Sequence, residues 1–278
     1  MPADPAIKAV IEKFRLSHAG ARIPFGVGCA WLHQGYPDRE QVLAHLRTFA
    51  LTYELGFRYY DTARAYGDSE WVTGEFVASV PRESIFLATK FNLHQARTLA
   101  KGVELAKTCL AESLERLRTD YIDLYQVHDS QNMELLFPPG GALEYLLEAR
   151  RQGLIRHIGM AIRERRILEQ AYAHPEFASL LTWGEFSPFN QDAADLIRRA
   201  AARGMAVING SPLYEARNRG LDFADPRVLA AVLQYPTTNP GIDITLTGPG
   251  SQAEILATVQ ALHAAVDEGL WEEWKKPV

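Results

Sequence analysis

Eight short apolar or β-branched runs alternate with longer segments of helical spacing along the whole chain, and this rhythm restricts the fold more than any other feature. The runs end near Cys29, Asp61, Lys90, His128, Ala161, Pro188, Gly210 and Thr247. Between the third and fourth, Val103, Ala106, Leu110, Leu114 and Leu117 step by three or four residues and so share one helix face, with Glu112 and Arg116 four apart on the other. Runs such as SIFLAT, AVING and DITLT are apolar enough to be covered on both faces, as buried parallel strands are. Eight repeats of strand then helix predict an α/β protein of the (β/α)₈ barrel type, with the sixth strand near WGEFSPF and the seventh helix near PRVLAAVL. An open doubly wound sheet is the competing architecture, but no G-x-G-x-x-G follows an early strand, and Gly26-x-Gly28 only closes the first.

The 278 residues match the roughly 250 of one such barrel, and no Pro/Gly/Ser-rich linker divides them. We expect a single domain over 1–278, with 1–22 as a cap before the first strand and 268–278 as a tail that Trp271 and Trp274 could pin to the barrel. With 29 basic and 34 acidic residues, the net charge of −5 argues against nucleic acid or anionic lipid as a partner. No apolar run approaches the roughly 18 residues of a membrane span, and MPADPAIKAVIEKF lacks the apolar core of a signal peptide, so the expectation is a soluble, unprocessed protein. Cys29 and Cys109 show no C-x-x-C spacing, which suggests neither a disulfide framework nor zinc and fits a reducing cytoplasm. No H-x-x-x-H or H-E-x-x-H pattern points to metal catalysis. Nor is there a G-x-S-x-G elbow, and Cys29 has no evident activating partner.

In a barrel of this kind Asp61, Lys90 and His128 stand at the C-terminal ends of three successive strands, where active sites are built. Tyr66 lies five residues beyond Asp61, on a loop that can return its phenol over the same mouth. A phenol titrates near pH 10 and is a poor acid at neutrality, but an adjacent ammonium stabilises the phenolate. Lys90 would be that ammonium, Asp61 would hold it charged, and His128 would bond the substrate oxygen that gains or loses the proton. Taken singly, each residue also fits a bland role, a buried ion pair or a satisfied core histidine. Taken together they form a proton-transfer device for a carbonyl and alcohol pair.

GFRYYDTARAYG (56–67), the ATK ending at Lys90 and YIDLYQVHD (121–129) resemble the aldo-keto reductase family, in register from about residue 22 to 267. The resemblance implies hydride transfer between a nicotinamide and a carbonyl, with Tyr66 as general acid/base, Lys90 and Asp61 tuning it, and His128 orienting the substrate. INGSPL (208–213) is most similar to the sugar-dehydrogenase branch. For a sugar, that branch implies that Tyr66 takes a proton as hydride leaves the anomeric carbon, giving a lactone.

The cofactor positions depart from the family pattern. Where the family has G-x-S-N after the fifth strand, this chain reads IGMAIRE, with Ala161 and Ile162 in place of two polar side chains. Trp183 replaces a glutamine that meets the carboxamide, and Gly210 a tyrosine that stacks on the nicotinamide. TGPGSQAEILAT stands where P-G-x-R-S and E-N are usual, so Gly250 replaces an arginine, while Ala257 and Thr258 replace the Glu-Asn pair. Ser211, Leu213, Gly248 and Ser251 survive, and amides near a helix N-terminus can hold a pyrophosphate. With no cation for a 2′-phosphate, the pattern implies NAD in preference to NADP. It also opens an alternative, a cofactor-independent isomerase or lyase that enolises or eliminates a sugar-like carbonyl compound with the same four residues.

For the substrate, Trp31 and His33 follow the first strand and Arg64 stands two residues before Tyr66. Arg163, Arg165 and Arg166 follow the fifth strand, and Arg217 and Arg219 the seventh. Such arginines fit an anionic group on a sugar derivative, or simply a solvated helix start. The family resemblance implies a monomer.

Overall fold

The computed structural model describes residues 6–32 and 39–274. The chain enters through α1 (Ala6–Lys13) and a small antiparallel hairpin, β1 (Leu16–His18) and β2 (Ala21–Ile23). Strand and helix then alternate. β3 (Phe25–Gly28), α2 (Arg39–Glu54), β4 (Tyr59–Asp61), α3 (Ser69–Val77), β5 (Phe86–Phe91), α4 (Leu99–Arg116) and β6 (Ile122–His128) make the first half. α5 (Ala142–Arg151), β7 (Ile155–Ala161), α6 (Arg165–Ala173), β8 (Phe177–Trp183), α7 (Ala194–Ala202) and β9 (Ala206–Gly210) follow. The chain closes with α8 (Tyr214–Asn218), α9 (Pro226–Gln234), β10 (Ile244–Thr247), α10 (Gln252–His263) and α11 (Glu268–Trp274).

β3 to β10 pair in parallel as one closed barrel, with β10 returning to β3, so the (β/α)₈ expectation holds. Two apolar layers follow from it. Inside the barrel Tyr59, Phe86, Leu124, Ala206, Ile208 and Ile244 form a buried cluster, joined at the N-terminal end of the strands by Ile7 and Ile11 of α1. Lys8 Nζ fixes that helix by an ion pair to Asp243 Oδ2 at 2.7 Å. Outside, a larger cluster fills the space between strands and helices, and it includes Ala106, Cys109, Leu110 and Leu117 of the α4 segment. Each strand is thus covered on both faces, which leaves the C-terminal strand ends as the open side of the barrel.

Two expectations shift. The sixth barrel strand ends at Trp183 and not near Pro188, because Gly184 adopts a φ of +67° and turns the chain. The segment beyond folds back on itself: Ser187 N–H donates to Asn190 O at 2.7 Å, and Asn190 Nδ2 donates to Gly184 O at 3.2 Å. The seventh unit has a helix at PRVLAAVL, as α9, but the short α8 comes first, directly behind the end of β9. The C-terminal segment forms α11, and Trp271 Nε1 donates to Ala231 O at 2.8 Å while Trp274 packs on Phe189. Among the described residues no helix is long and apolar enough to cross a membrane.

Candidate active site

Parallel register brings Asp61, Lys90 and His128 to neighbouring strand ends: Asp61 pairs with Ala88 and Lys90 with Gln126. The chain after Asp61 stays laced to β5, with Thr62 N–H on Ala88 O at 2.9 Å and Arg64 N–H on Lys90 O at 3.1 Å. It then turns, as Tyr66 N–H meets Ala63 O and Ser69 N–H meets Tyr66 O. That turn delivers the Tyr66 phenol to the mouth, where the Lys90 ammonium lies 4.9 Å from the ring centroid.

Lys90 and Asp61 are 1% and 2% exposed. An unpaired charge at such depth would be prohibitive, and the surroundings meet both. Lys90 Nζ donates to Asp61 Oδ1 and to Thr62 O at 2.7 Å, while Gln126 Nε2 donates to Asp61 Oδ2 at 3.0 Å. Burial disfavours the ammonium, yet Asp61 and Tyr66 more than offset it, so Lys90 is held above its usual pKa and charged. Burial likewise raises the Tyr66 phenol, opposed by Lys90. His128 packs edge-on against Tyr66, with ring centroids 5.5 Å apart. Burial, Lys90 and His94 push its pKa down to about 3, so it is neutral at physiological pH and able to donate one N–H.

These four side chains open into a cavity of about 780 Å³ that continues past Ala161, Trp183 and Gly210 to Ser211, Leu213, Gly248 and Thr258. The structure therefore brings most of the expected cofactor positions to one groove. Ser251 is placed outside its lining, as the N-cap of α10, accepting from Glu254 N–H at 3.2 Å. Trp183 and Gly210 are partners in register, and a Cβ on Gly210 would come within 2.9 Å of Trp183 Cβ. The close atom is the Cβ of residue 183, so any side chain at 183 calls for glycine at 210. Trp183 meets Tyr214 edge-on at 5.6 Å, and Arg163 lies over its ring at 5.0 Å.

The expected substrate residues separate. Trp31 lines the cavity, packed on His45 and Phe49, while His33 lies outside the described residues. Arg64 is directed away from the mouth: Glu112 on α4 takes its Nε at 2.7 Å, and Arg116 continues the chain of charges from Glu112 to the buried Glu70. Arg163 sits behind Trp183, near Glu215 and outside the cavity lining. Arg165 and Arg166 are paired with acidic neighbours on the surface, and of these loop arginines Arg217 lines the cavity.

Three participants escaped the sequence reading. Gln126, fully buried on the Asp61 carboxylate, stands two residues before His128, so strand alternation already put it on the same inward face. Asp129 and Glu254 also line the cavity; Asp129 closes YIDLYQVHD beside His128, while no local pattern marks Glu254. Among the described residues no group of three His, Cys, Asp or Glu side chains is placed to hold a metal ion.

Comparison with known proteins gives the family and the fold. The sequence profile described as the Aldo/keto reductase family matches residues 23–222. An aldo-keto reductase of Mycobacterium avium is 37% identical over 235 residues, 78% of each chain, and a probable aldo-keto reductase of Glycine max is 26% identical over 215 residues, 74% of this chain and 60% of that one. Several curated relatives are matched over only 46–60% of their own length. An aldo-keto reductase from Klebsiella pneumoniae, solved in complex with NADPH, shares the fold with a TM-score of 0.72 at 19% identity, over 95% of this chain and 94% of that one. On the profile match and the Mycobacterium relative, the chain belongs to the aldo/keto reductase family.

Proposed function

We propose that this protein is a nicotinamide-dependent oxidoreductase that moves a hydride between its cofactor and a sugar-like carbonyl or alcohol, with Tyr66 as general acid/base. The observation that carries this reading is the continuity of the cavity, which joins the Tyr66 corner to a backbone cradle at Ser211–Leu213 and Gly248–Pro249. The cradle suits a dinucleotide. Ser211 holds a φ of +53°, and a Cβ on Gly248 would stand 3.3 Å from both Gly28 O and Trp31 Cδ1, so a side chain there would press on both. At the far end Glu254 Oε2 takes the Gly250 N–H at 2.8 Å. A carboxylate there repels a 2′-phosphate, which favours NAD over NADP; the Klebsiella relative holds NADPH, so the preference rests on this chain's own residues.

When bound, the nicotinamide supplies or accepts the hydride. The protein handles the proton. A substrate carbonyl oxygen accepts from His128 N–H and from the Tyr66 hydroxyl, and the charge that develops on it is met by the Tyr66 proton. The phenolate left behind faces Lys90, whose own charge is balanced by Asp61. In the opposite direction Tyr66 takes the proton of a sugar hydroxyl, giving a lactone from a cyclic aldose.

One observation favours the second reading, cofactor-independent isomerisation or elimination. The Trp183 indole stands in the cavity at the end of β8, and the neighbouring β7 end offers only Ala161 and Ile162, with no polar side chain for a carboxamide. A screen of aldoses and small aldehydes with both nicotinamides separates the two. Oxidation or reduction of the cofactor upholds the oxidoreductase, and substrate conversion without any cofactor upholds the alternative.

A further inference from the structure

Asp129 follows His128 at the end of β6 with a φ of +46°, left-handed backbone that few residues other than glycine, asparagine and aspartate adopt. The surroundings hold it there. Its N–H donates to Ala161 O at 3.0 Å, and its carbonyl accepts from His94 Nε2 at 2.8 Å. The consequence is a carboxylate at the cavity wall, with Oδ2 3.4 Å from His128 Nε2. A carboxylate beside Nε2 favours the tautomer with the proton on that nitrogen, the one that can donate to a substrate oxygen. The mouth therefore presents a donor and an acceptor side by side.

That pair matches two oxygens on adjacent carbons. In a hydroxy carbonyl they lie about a hydrogen-bond length apart, and they differ in the required sense, because the carbonyl oxygen only accepts while the hydroxyl donates. We propose that Asp129 is a substrate-binding residue that accepts a hydrogen bond from a hydroxyl on the carbon next to the reacting carbonyl. The site then selects α-hydroxy aldehydes or ketones over plain ones. The proposal rests on the oxidoreductase reading for the reacting carbonyl, while the hydroxyl contact itself needs only His128 and Asp129. It also weighs against an anionic substituent at this point of the substrate, since the carboxylate would repel it.

The test compares 2-hydroxypropanal with propanal, which differ by the one hydroxyl, in the wild-type protein and in Asp129→Gly and Asp129→Asn. Glycine is chosen because left-handed backbone does not strain it, and asparagine because it tolerates that backbone and retains an acceptor oxygen. We expect kcat/KM with NADH or NADPH to favour the hydroxy aldehyde about tenfold or more in the wild type. The preference falls to within about twofold in Asp129→Gly, chiefly through KM, and is partly kept in Asp129→Asn. A wild type without the preference, or an Asp129→Gly protein that keeps it whole, overturns the proposal. Turnover of neither aldehyde counts against the oxidoreductase reading alone. In that case tryptophan fluorescence titrations with the same two compounds decide: binding of the hydroxy aldehyde that Asp129→Gly loses upholds the contact, and equal or absent binding removes it.

Discussion

On one side of the barrel mouth, β4 to β6 contribute Asp61, Lys90 and His128, side chains that are buried, charged or polar, and paired with one another or with Thr62 and Gln126. On the other side, β7 to β9 contribute Ala161, Trp183 and Gly210 at their ends, apolar or small residues in place of charged ones, and the chain beyond β10 adds Gly248. The contrast shows which task is tied to residue type. Moving a proton needs particular groups at particular distances, and a buried ion pair tolerates no missing partner. Holding a long ligand can be shared among backbone amides, turns and apolar walls, so that side can change its residues while the groove persists.

The largest expected effect breaks the first side. Tyr66→Phe removes the transferable proton and should lower kcat by about 10²–10⁴-fold with little change in melting temperature, measured by steady-state assay and thermal unfolding. Full activity in that variant would remove the site assignment.

The next prediction concerns pH. His128 titrates near 3 in the folded chain against 6.5 in an exposed imidazole, so between those values the unfolded state binds the extra proton and stability falls as pH falls. The wild type should lose more stability than His128→Gln when denaturant unfolding is carried from about pH 7 down to about pH 4. Parallel losses in the two proteins would mean that the imidazole is not held neutral.

A smaller effect probes the opposite side. Gly210→Ala pushes a Cβ against Trp183 and should cost about 1–3 kcal/mol, and the cost should shrink in a Trp183→Gly background, where the opposing Cβ is gone. Additive effects in this double-mutant cycle would separate the two residues. The smallest expected change is in cofactor choice: Glu254→Lys exchanges a carboxylate for a cation beside Gly250 and should improve NADPH binding relative to NADH by about tenfold, read by equilibrium titration.

The cluster of Asp61, Lys90 and His128 at one mouth was legible because these residues interrupt a pattern. Asp61, Lys90 and His128 each close an apolar run, and in a barrel with covered strands a polar strand end can only face the mouth. The fold was legible for the same reason, apart from the sixth strand, where the apolar SPF beyond Gly184 conceals a turn that depends on glycine conformation. Arg64 was less legible. Its position beside Tyr66 suggested the substrate, but its partner Glu112 lies 48 residues away and packs beside it only in the folded chain. The pairing of Trp183 with Gly210 likewise depends on the β8–β9 register, which the sequence does not display.

The central claim is that the shape-lined half still holds a nicotinamide against the side-chain-built half. Titration of the folded protein with NADH, NADPH, NAD and NADP, followed by tryptophan fluorescence and calorimetry, tests it most directly, since Trp31 and Trp183 both line the groove. Saturable binding, tighter for NADH or NAD than for the phosphorylated forms, is the expected result. Absence of binding by all four would contradict it and leave Tyr66, Lys90, Asp61 and His128 to proton-transfer chemistry without a hydride.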